Sequence, residues 1–214
     1  MNALSVPECK TLGIMRKIGL ITINPSTFDL SEVIKEIIIK NEYKNILYCK
    51  KSSFTCDPKD FIENNCLNTK YIAYLSSKLN EYNKDIIGLQ VIDNNFKQND
   101  IGLFSAIGSK NAILISTLYI KSDNRERMKH RMVVTLLHEL GEIIAHLLGY
   151  THFTLVLAKH DGECVFYPPN KKVFEWIRKG KFRYIAKYKD SLPEYYCSRC
   201  SEIIKEGIEV WHEI

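Results

Sequence analysis

The sequence predicts an α+β fold, and three observations predict it. Segments that alternate apolar and other residues, such as KIGLITINP (Lys17–Pro25), stand apart from segments with apolar residues at helical spacing, such as Leu30–Lys40. One stretch, MVVTLLHELGEIIAHLLGYTHF (Met132–Phe153), is long enough for six turns of helix or so and carries a polar stripe. The composition supplies a core: 214 residues that are 45% hydrophobic and 26% charged suit one domain, or one with a small appendage.

The elements follow in order. Lys17–Pro25 reads as a strand ended by Asn-Pro, and Leu30–Lys40 as a helix with Asp29 and Ser31 as caps. Asn45–Cys49 is a second strand. Lys50–Asn68, rich in Ser, Asp, Asn and Cys, reads as a loop. Thr69–Tyr82 has Ile72, Leu75 and Leu79 on one helical face, and Ile86–Asp93 is a strand. After the polar run Asn94–Asp100, Gly102–Gly108 and Asn111–Ile120 give two more strands, the second read as a sheet edge that an extended peptide can join. Arg125–Leu148 is the long helix, ended by Gly149. Cys200–Ile214 closes the chain as a short helix or strand. The expected organisation is a sheet-and-helix part over residues 1–149 and a C-terminal subdomain over 150–214.

The stripe on the long helix carries chemistry. At about 100° per residue, His138, Glu142 and His146 fall near 0°, 40° and 80°, with Glu139 near 100°. Zinc accepts imidazole and carboxylate ligands, and i, i+4 spacing aims two side chains at one ion. Gly149 and His152 follow His146 at the spacing HxxGxxH. A helix that merely buried one face would have no need of this pattern.

Without Glu142–Ala145 the stretch reads HExxHxxGxxH, the zinc signature of metzincin peptidases. With Cys164 and the pair Cys197 and Cys200 downstream, the chain resembles one metzincin branch, the archaemetzincins. The order IIGLQVIDNNF, GLFSAIG, NAILISTLY and RERM before the helix is similar too, so the resemblance spans Lys17–Ile204. It implies a compact metzincin-like fold, with a mixed twisted sheet of about four to five strands packed on helices and a small zinc-stapled C-terminal subdomain. It implies a zinc-dependent peptidase acting on peptide or protein substrates. Two Zn2+ ions are implied, one at the long helix and one structural.

This chain departs from the pattern at four places. Glu142 stands where the family has its second His, Phe153 where a Cys follows the third His, Phe166 where the Met beneath the metal belongs, and the segment before Cys197 is longer. Three of His138, Glu142, His146 and His152 are expected to hold the first zinc, and three arrangements are open. In one, Glu142, His146 and His152 are the ligands and Glu139 reaches across a turn. In another, a π-type bulge restores His138, His146 and His152 with Glu139 as base. In the third, the site is degenerate and binds metal poorly or not at all; the alternative function is an inactive relative that keeps the scaffold and binds metal, peptide or a protein partner. His160 is the closest candidate to complete Cys164, Cys197 and Cys200 as a Cys3His site, with Cys56 or Cys66 as other sources. The CxxC pair alone is also compatible with a redox pair, although no strand-then-helix context precedes it.

Other classes find less support. A net charge of +5 is spread over the chain, and no nucleic-acid-binding motif accompanies the basic, aromatic-rich Lys171–Lys189, so nucleic acid is not an expected partner. Seven cysteines, an odd number with four in the first third, do not form a disulfide framework. No signal peptide or membrane-length apolar run is visible, so the expected compartment is the reducing cytoplasm. Oligomeric state leaves no mark on the sequence.

Overall fold

A computed structural model of the chain describes residues 17–26, 28, 30–41, 47–51, 53–64, 66–97, 103–104, 106–168, 175 and 182–213. Five strands, β1 (Ile18–Thr22), β2 (Leu47–Cys49), β5 (Ile86–Ile92), β8 (Ala106–Ser109) and β9 (Ala112–Ser116), form one sheet in the order β2-β1-β5-β9-β8. The first four of that order run parallel, and β8 turns back antiparallel on β9 through Lys110. Every residue of β5 and β9 is buried, the continuous apolar pattern of strands covered on both faces. A second, four-stranded sheet of β3 (Ile62–Glu63), β4 (Cys66–Asn68), β6 (Asn95–Lys97) and β7 (Leu103–Phe104) has the order β3-β4-β6-β7.

Two corrections follow. The stretch expected as a loop, Lys50–Asn68, contains β3 and β4, and the polar run after β5 contains β6; strands of two or three residues are too short to show a period. The edge of the main sheet is β8, not β9, because the hairpin at Ser109–Ala112 folds β8 onto the side of β9 that was expected to be open. The ends also shift: β9 stops at Ser116 in a short 3-10 turn, Thr117–Tyr119, and the C-terminal element is helical.

Helices cover both faces. α1 (Ser31–Lys40) and α3 (Arg125–His146) share one core with Ile18, Leu20, Leu89, Ile113 and Ile115. α2 (Lys70–Tyr82) packs Tyr71, Leu75 and Leu79 on the other face against Ile21, Ile23 and Leu114. The amphipathic halves of these helices are what the alternating sides of the sheet require. α4 (His152–Val156), α5 (Phe182–Lys189) and α6 (Ser198–Glu213) follow, and α6 lies along α3. Phe174 and Trp176 lie outside the described residues, as do the side chains of Phe182 and Tyr184. No helix among the described residues is long and apolar enough to cross a membrane.

Candidate functional site

α3 holds the polar stripe rigidly because its other faces are locked. Asn124 caps it, accepting a hydrogen bond from the Arg127 N–H (2.9 Å), and Met132, Leu136, Leu137, Leu140 and Ile144 are wholly buried. His138 and Glu142, four residues apart, meet on one side with Nε2 and Oε1 2.6 Å from each other. Gly149, at φ +83°, supplies the left-handed turn that reverses the chain. α4 then opens at His152, whose Nδ1 hydrogen-bonds the same Glu142 Oε1. His138 Nε2 and His152 Nδ1 stand 3.4 Å apart, and the three ligand atoms all lie within 4.8 Å of one another.

The structure thus assembles His138, Glu142 and His152. His146 lies outside this group, exposed at the end of α3, with its Nδ1 3.4 Å from the Tyr150 carbonyl. Neither arrangement that used His146 is formed: α3 is α-helical throughout with no π-type bulge, and Glu142 turns to His138 and His152 while the His146 ring lies by the Tyr150 carbonyl. The extra residues lengthen the helix past Glu142 instead. Regular geometry then carries His146 about 12 Å along the axis from His138, beyond the reach of a shared ion.

The donors fit a divalent metal in type and nearly in place. Ligand bonds of about 2.0–2.2 Å at tetrahedral angles set donor atoms about 3.4 Å apart, the separation of the two imidazole nitrogens. The Glu142 carboxylate sits closer to both and would draw back slightly to share an ion. Burial pushes its carboxyl up, but the hydrogen bonds from His138 and His152 outweigh it and hold Glu142 ionised well below the usual carboxylate range. The same bond raises His152. The second ring nitrogen of His138 faces the Val165 carbonyl at 3.5 Å, the kind of outer contact that fixes the orientation of a ligating His.

Glu139, the neighbour of His138, turns toward the sheet edge. It accepts the Gly108 backbone N–H of β8, and a Cβ built at Gly108 would stand 3.2 Å from Glu139 Oε2. Burial, then the charge of Glu142, pushes the Glu139 carboxyl up to about 7, against the charges of His138 and Lys189. That value suits proton exchange near neutral pH.

A second cluster gathers His160, Cys164, Cys197 and Cys200, again with one ligand atom from each inside 4.8 Å. His160 Nδ1 is 3.6 Å from the sulfurs of both Cys197 and Cys200. Zn–S and Zn–N bonds at a tetrahedral angle give about 3.6 Å for that edge. All three thiols are buried and free, and His160 Nε2 is buried with no partner among the described residues. A hydrogen bond from Cys200 pulls the Cys164 thiol down to about 5 despite burial, while the same bond pushes Cys200 up. Cys56 and Cys66 belong to neither cluster.

The clusters are joined by Cys164-Val165-Phe166. Phe166 is wholly buried beneath His138, with ring centroids 5.0 Å apart, and stacks on Tyr196 at 5.4 Å. Tyr196, next to Cys197, donates its hydroxyl to the Leu137 carbonyl. A side chain at Gly141 could not coexist with this packing: a Cβ there would lie 2.6 Å from Phe166 Cζ and 2.8 Å from the Tyr196 oxygen.

No protein-family profile matches the sequence, and no curated protein matches it. Solved structures do resemble the fold. The archaemetzincin of Methanopyrus kandleri aligns over 92% of this chain and 98% of its own, with a TM-score of 0.62 at 15% identity. A zinc-dependent peptidase from Methanocorpusculum labreanum aligns over 87% of this chain and 99% of its own (TM-score 0.57, 15% identity). The archaemetzincin of Archaeoglobus fulgidus, complexed with malonate, aligns over 88% and 100% (TM-score 0.52, 14% identity). The chain therefore has an archaemetzincin-like fold, a mixed sheet packed with helices as the sequence resemblance implied.

Proposed function

We propose that this chain is a zinc-dependent peptidase of the archaemetzincin type in which His138, Glu142 and His152 hold the first zinc and Glu139 is the general base. The observation that supports it most is the convergence of those three donors from α3 and α4, with Glu139 beside them, on a fold shared with zinc-dependent peptidases. Two imidazoles and one carboxylate are an established catalytic zinc set that leaves a position open. Zinc held there supplies Lewis acidity, lowering the pKa of a bound water toward about 7 and polarising a carbonyl.

The chain's own groups do the rest. Glu142, ionised between two imidazoles, fixes both rings before any ion arrives. Glu139 holds one carboxylate oxygen on the Gly108 N–H and takes the water proton on its carboxylate, then hands it to the leaving amine. β8 ends the sheet order, so its outer backbone edge can accept an extended peptide as a further strand beside Glu139. His160, Cys164, Cys197 and Cys200 hold a second zinc, structural in role, because it is closed by four protein ligands.

A second reading is a metal-binding scaffold that no longer cleaves peptides. The observation favouring it is that Glu142 bonds tightly to both imidazoles, which can satisfy these side chains without an ion. One experiment separates the readings. Protein purified without added metal is expected to carry two equivalents of zinc and to cleave mixed peptides, and Glu139→Gln is expected to keep both zincs while cleavage falls at least about 100-fold. Zinc without cleavage selects the scaffold, and cleavage that survives the substitution removes Glu139 as the general base.

A further inference from the structure

The C-terminal segment meets α3 at two glycines, each at a contact too close for a side chain. A Cβ at Gly207 of α6 would lie 2.6 Å from the Ile144 carbonyl oxygen, and a Cβ at Gly141 of α3 would lie 2.8 Å from the Tyr196 hydroxyl. Glycine inside a helix is ordinarily unfavourable, so each position points to a neighbour that needs the space. At Gly141 that neighbour is the phenol of Tyr196, buried in the notch and donating to the Leu137 carbonyl. In a regular helix this carbonyl already accepts the Gly141 N–H. Tyr196 adds a second donor to the backbone of the residue just before His138.

Both chain neighbours of Tyr196 are tied as well. The Tyr195 carbonyl accepts the Val165 N–H at 2.9 Å, and the Val165 carbonyl faces His138 Nδ1 at 3.5 Å. The Cys197 carbonyl accepts the Ser201 N–H at 2.9 Å as α6 begins, and its sulfur stands 3.6 Å from His160 Nδ1. Phe166 fills the space between, stacked on the Tyr196 ring and packed under His138. Two short routes therefore lead from the thiol cluster to His138. One passes from Cys197 through the Tyr196 hydroxyl to the turn of α3 that bears His138, and the other from Cys164 through the Val165 carbonyl to its ring.

A buried tyrosine in an ordinary core needs only some acceptor for its hydroxyl. Here the acceptor is the helix backbone beside one metal-ligand candidate, and the next residue in the chain is a candidate ligand of the other cluster. The place of the hydroxyl thus depends on where Cys197 is held. We infer that Tyr196 is a positioning residue that couples the two metal sites, so that an ion fixing Cys197 keeps the phenol on Leu137 and sets His138 for its own ion. The inference rests on the two zinc sites proposed above and adds that their affinities depend on each other. Such coupling is reciprocal by thermodynamic necessity.

The test uses the full chain with the thiol site filled with zinc, and titrates zinc or cobalt(II) into the His138 centre. Tyr196→Phe removes one oxygen and keeps the ring. It is expected to weaken zinc at that centre about three- to tenfold and to shift the visible absorption of cobalt(II) bound there. A tyrosine that only supported the fold would lower the melting temperature and leave both readings where they were. Cys200→Ala is expected to weaken the His138 centre by a similar factor in the parent but by no more than about twofold in Tyr196→Phe, because the two changes cut one route. Should Cys200→Ala not fold, the reciprocal measurement replaces it: His152→Ala is expected to weaken zinc at the thiol site about three- to tenfold, and Tyr196→Phe to erase most of that difference. Affinity and absorption unchanged in Tyr196→Phe, losses that simply add, or a Tyr196→Phe chain that does not fold would each overturn the coupling. A parent that takes no metal at the His138 centre overturns the coupling and the first zinc site together. A parent that takes metal and shows the coupling but cleaves nothing supports the inference and removes only the peptidase reading.

Discussion

The two clusters of metal-ligand residues use the same kinds of element in opposite ways. The thiol cluster is closed: three cysteines and His160 are packed together under α6, and each donor points at the others. The imidazole cluster is open: His152 is half exposed, His138 and Glu142 are partly exposed, and Glu139 stands beside them uncommitted to the group. A closed set stabilises the fold, whereas an open set leaves room for a reactant. The short bridge Cys164-Val165-Phe166 lets the first support the second, since it carries a thiol at one end and the floor of His138 at the other.

The sharpest way to break that division is to remove a thiol. Cys200→Ala is expected to lose one zinc equivalent and several kcal/mol of stability, because metal-binding free energy in such a site is folding free energy. Unfolding followed by circular dichroism, with zinc counted on the same sample, checks it. A variant as stable as the parent would mean that the cluster is not a staple.

The opposite result is expected at the open centre. Glu142→Gln keeps the shape but removes the ligand charge, so zinc at that centre should weaken roughly 10- to 100-fold while the melting temperature of the metal-free protein moves little. Isothermal titration with the thiol site already filled measures the first quantity. A large loss of folding stability would show that the Glu142 hydrogen bonds serve the fold and not an ion.

The difference between the clusters also explains what could be read from the sequence. The long helix was legible because its apolar period and its Gly stop are local signals, whereas Cys164 joined the CxxC pair only through the family resemblance, with His160 one candidate beside Cys56 and Cys66. The partnership of His138 with Glu142 was equally local, at i, i+4, but the selection of His152 over His146 depends on where Gly149 returns the chain. Spacing alone does not encode that path. Lys189 gave no signal at all: within YKD it looks like a surface residue, and only the packing of α5 against α3 buries it. Gly108 as a donor to Glu139 likewise appears only once β8 is folded beside α3.

A smaller effect tests the floor of the open centre. Phe166 fills the place where the resembled family has a Met, and Gly141 leaves space for its ring. Phe166→Met conserves much of the volume but gives up the contact with Tyr196, so about 1 kcal/mol of stability should be lost. Zinc affinity at the His138 centre should change by no more than a few-fold. A much larger drop in affinity would show that the aromatic floor orients His138, and would tie the two clusters together more tightly than packing requires.

The smallest effect concerns the charged contacts that also hold the C-terminal segment against α1 and α3. Glu36 pairs with Lys129 at 2.6 Å and Lys40 at 2.5 Å, and Lys40 also reaches Glu194. Burial pushes the Glu36 carboxyl up, but the two ammonium groups outweigh it and leave it below its ordinary value. A carboxyl that is lower in the folded chain than in the unfolded one binds fewer protons when folded. Its stabilisation is therefore complete above the ordinary carboxylate value and disappears as pH falls through the folded one. The two ammonium groups are partly exposed and the pairs are screened, so the contribution at neutral pH should be only about 0.5 kcal/mol, and less in high salt. Because acid also strips zinc from thiol and imidazole ligands, the quantity to measure is the stability difference between the parent and Glu36→Gln across pH. That difference should be small at pH 7 and vanish on acidification. If instead it rivals the loss in Cys200→Ala, charge pairing and not the thiol cluster fastens the C-terminal segment to the sheet-and-helix body.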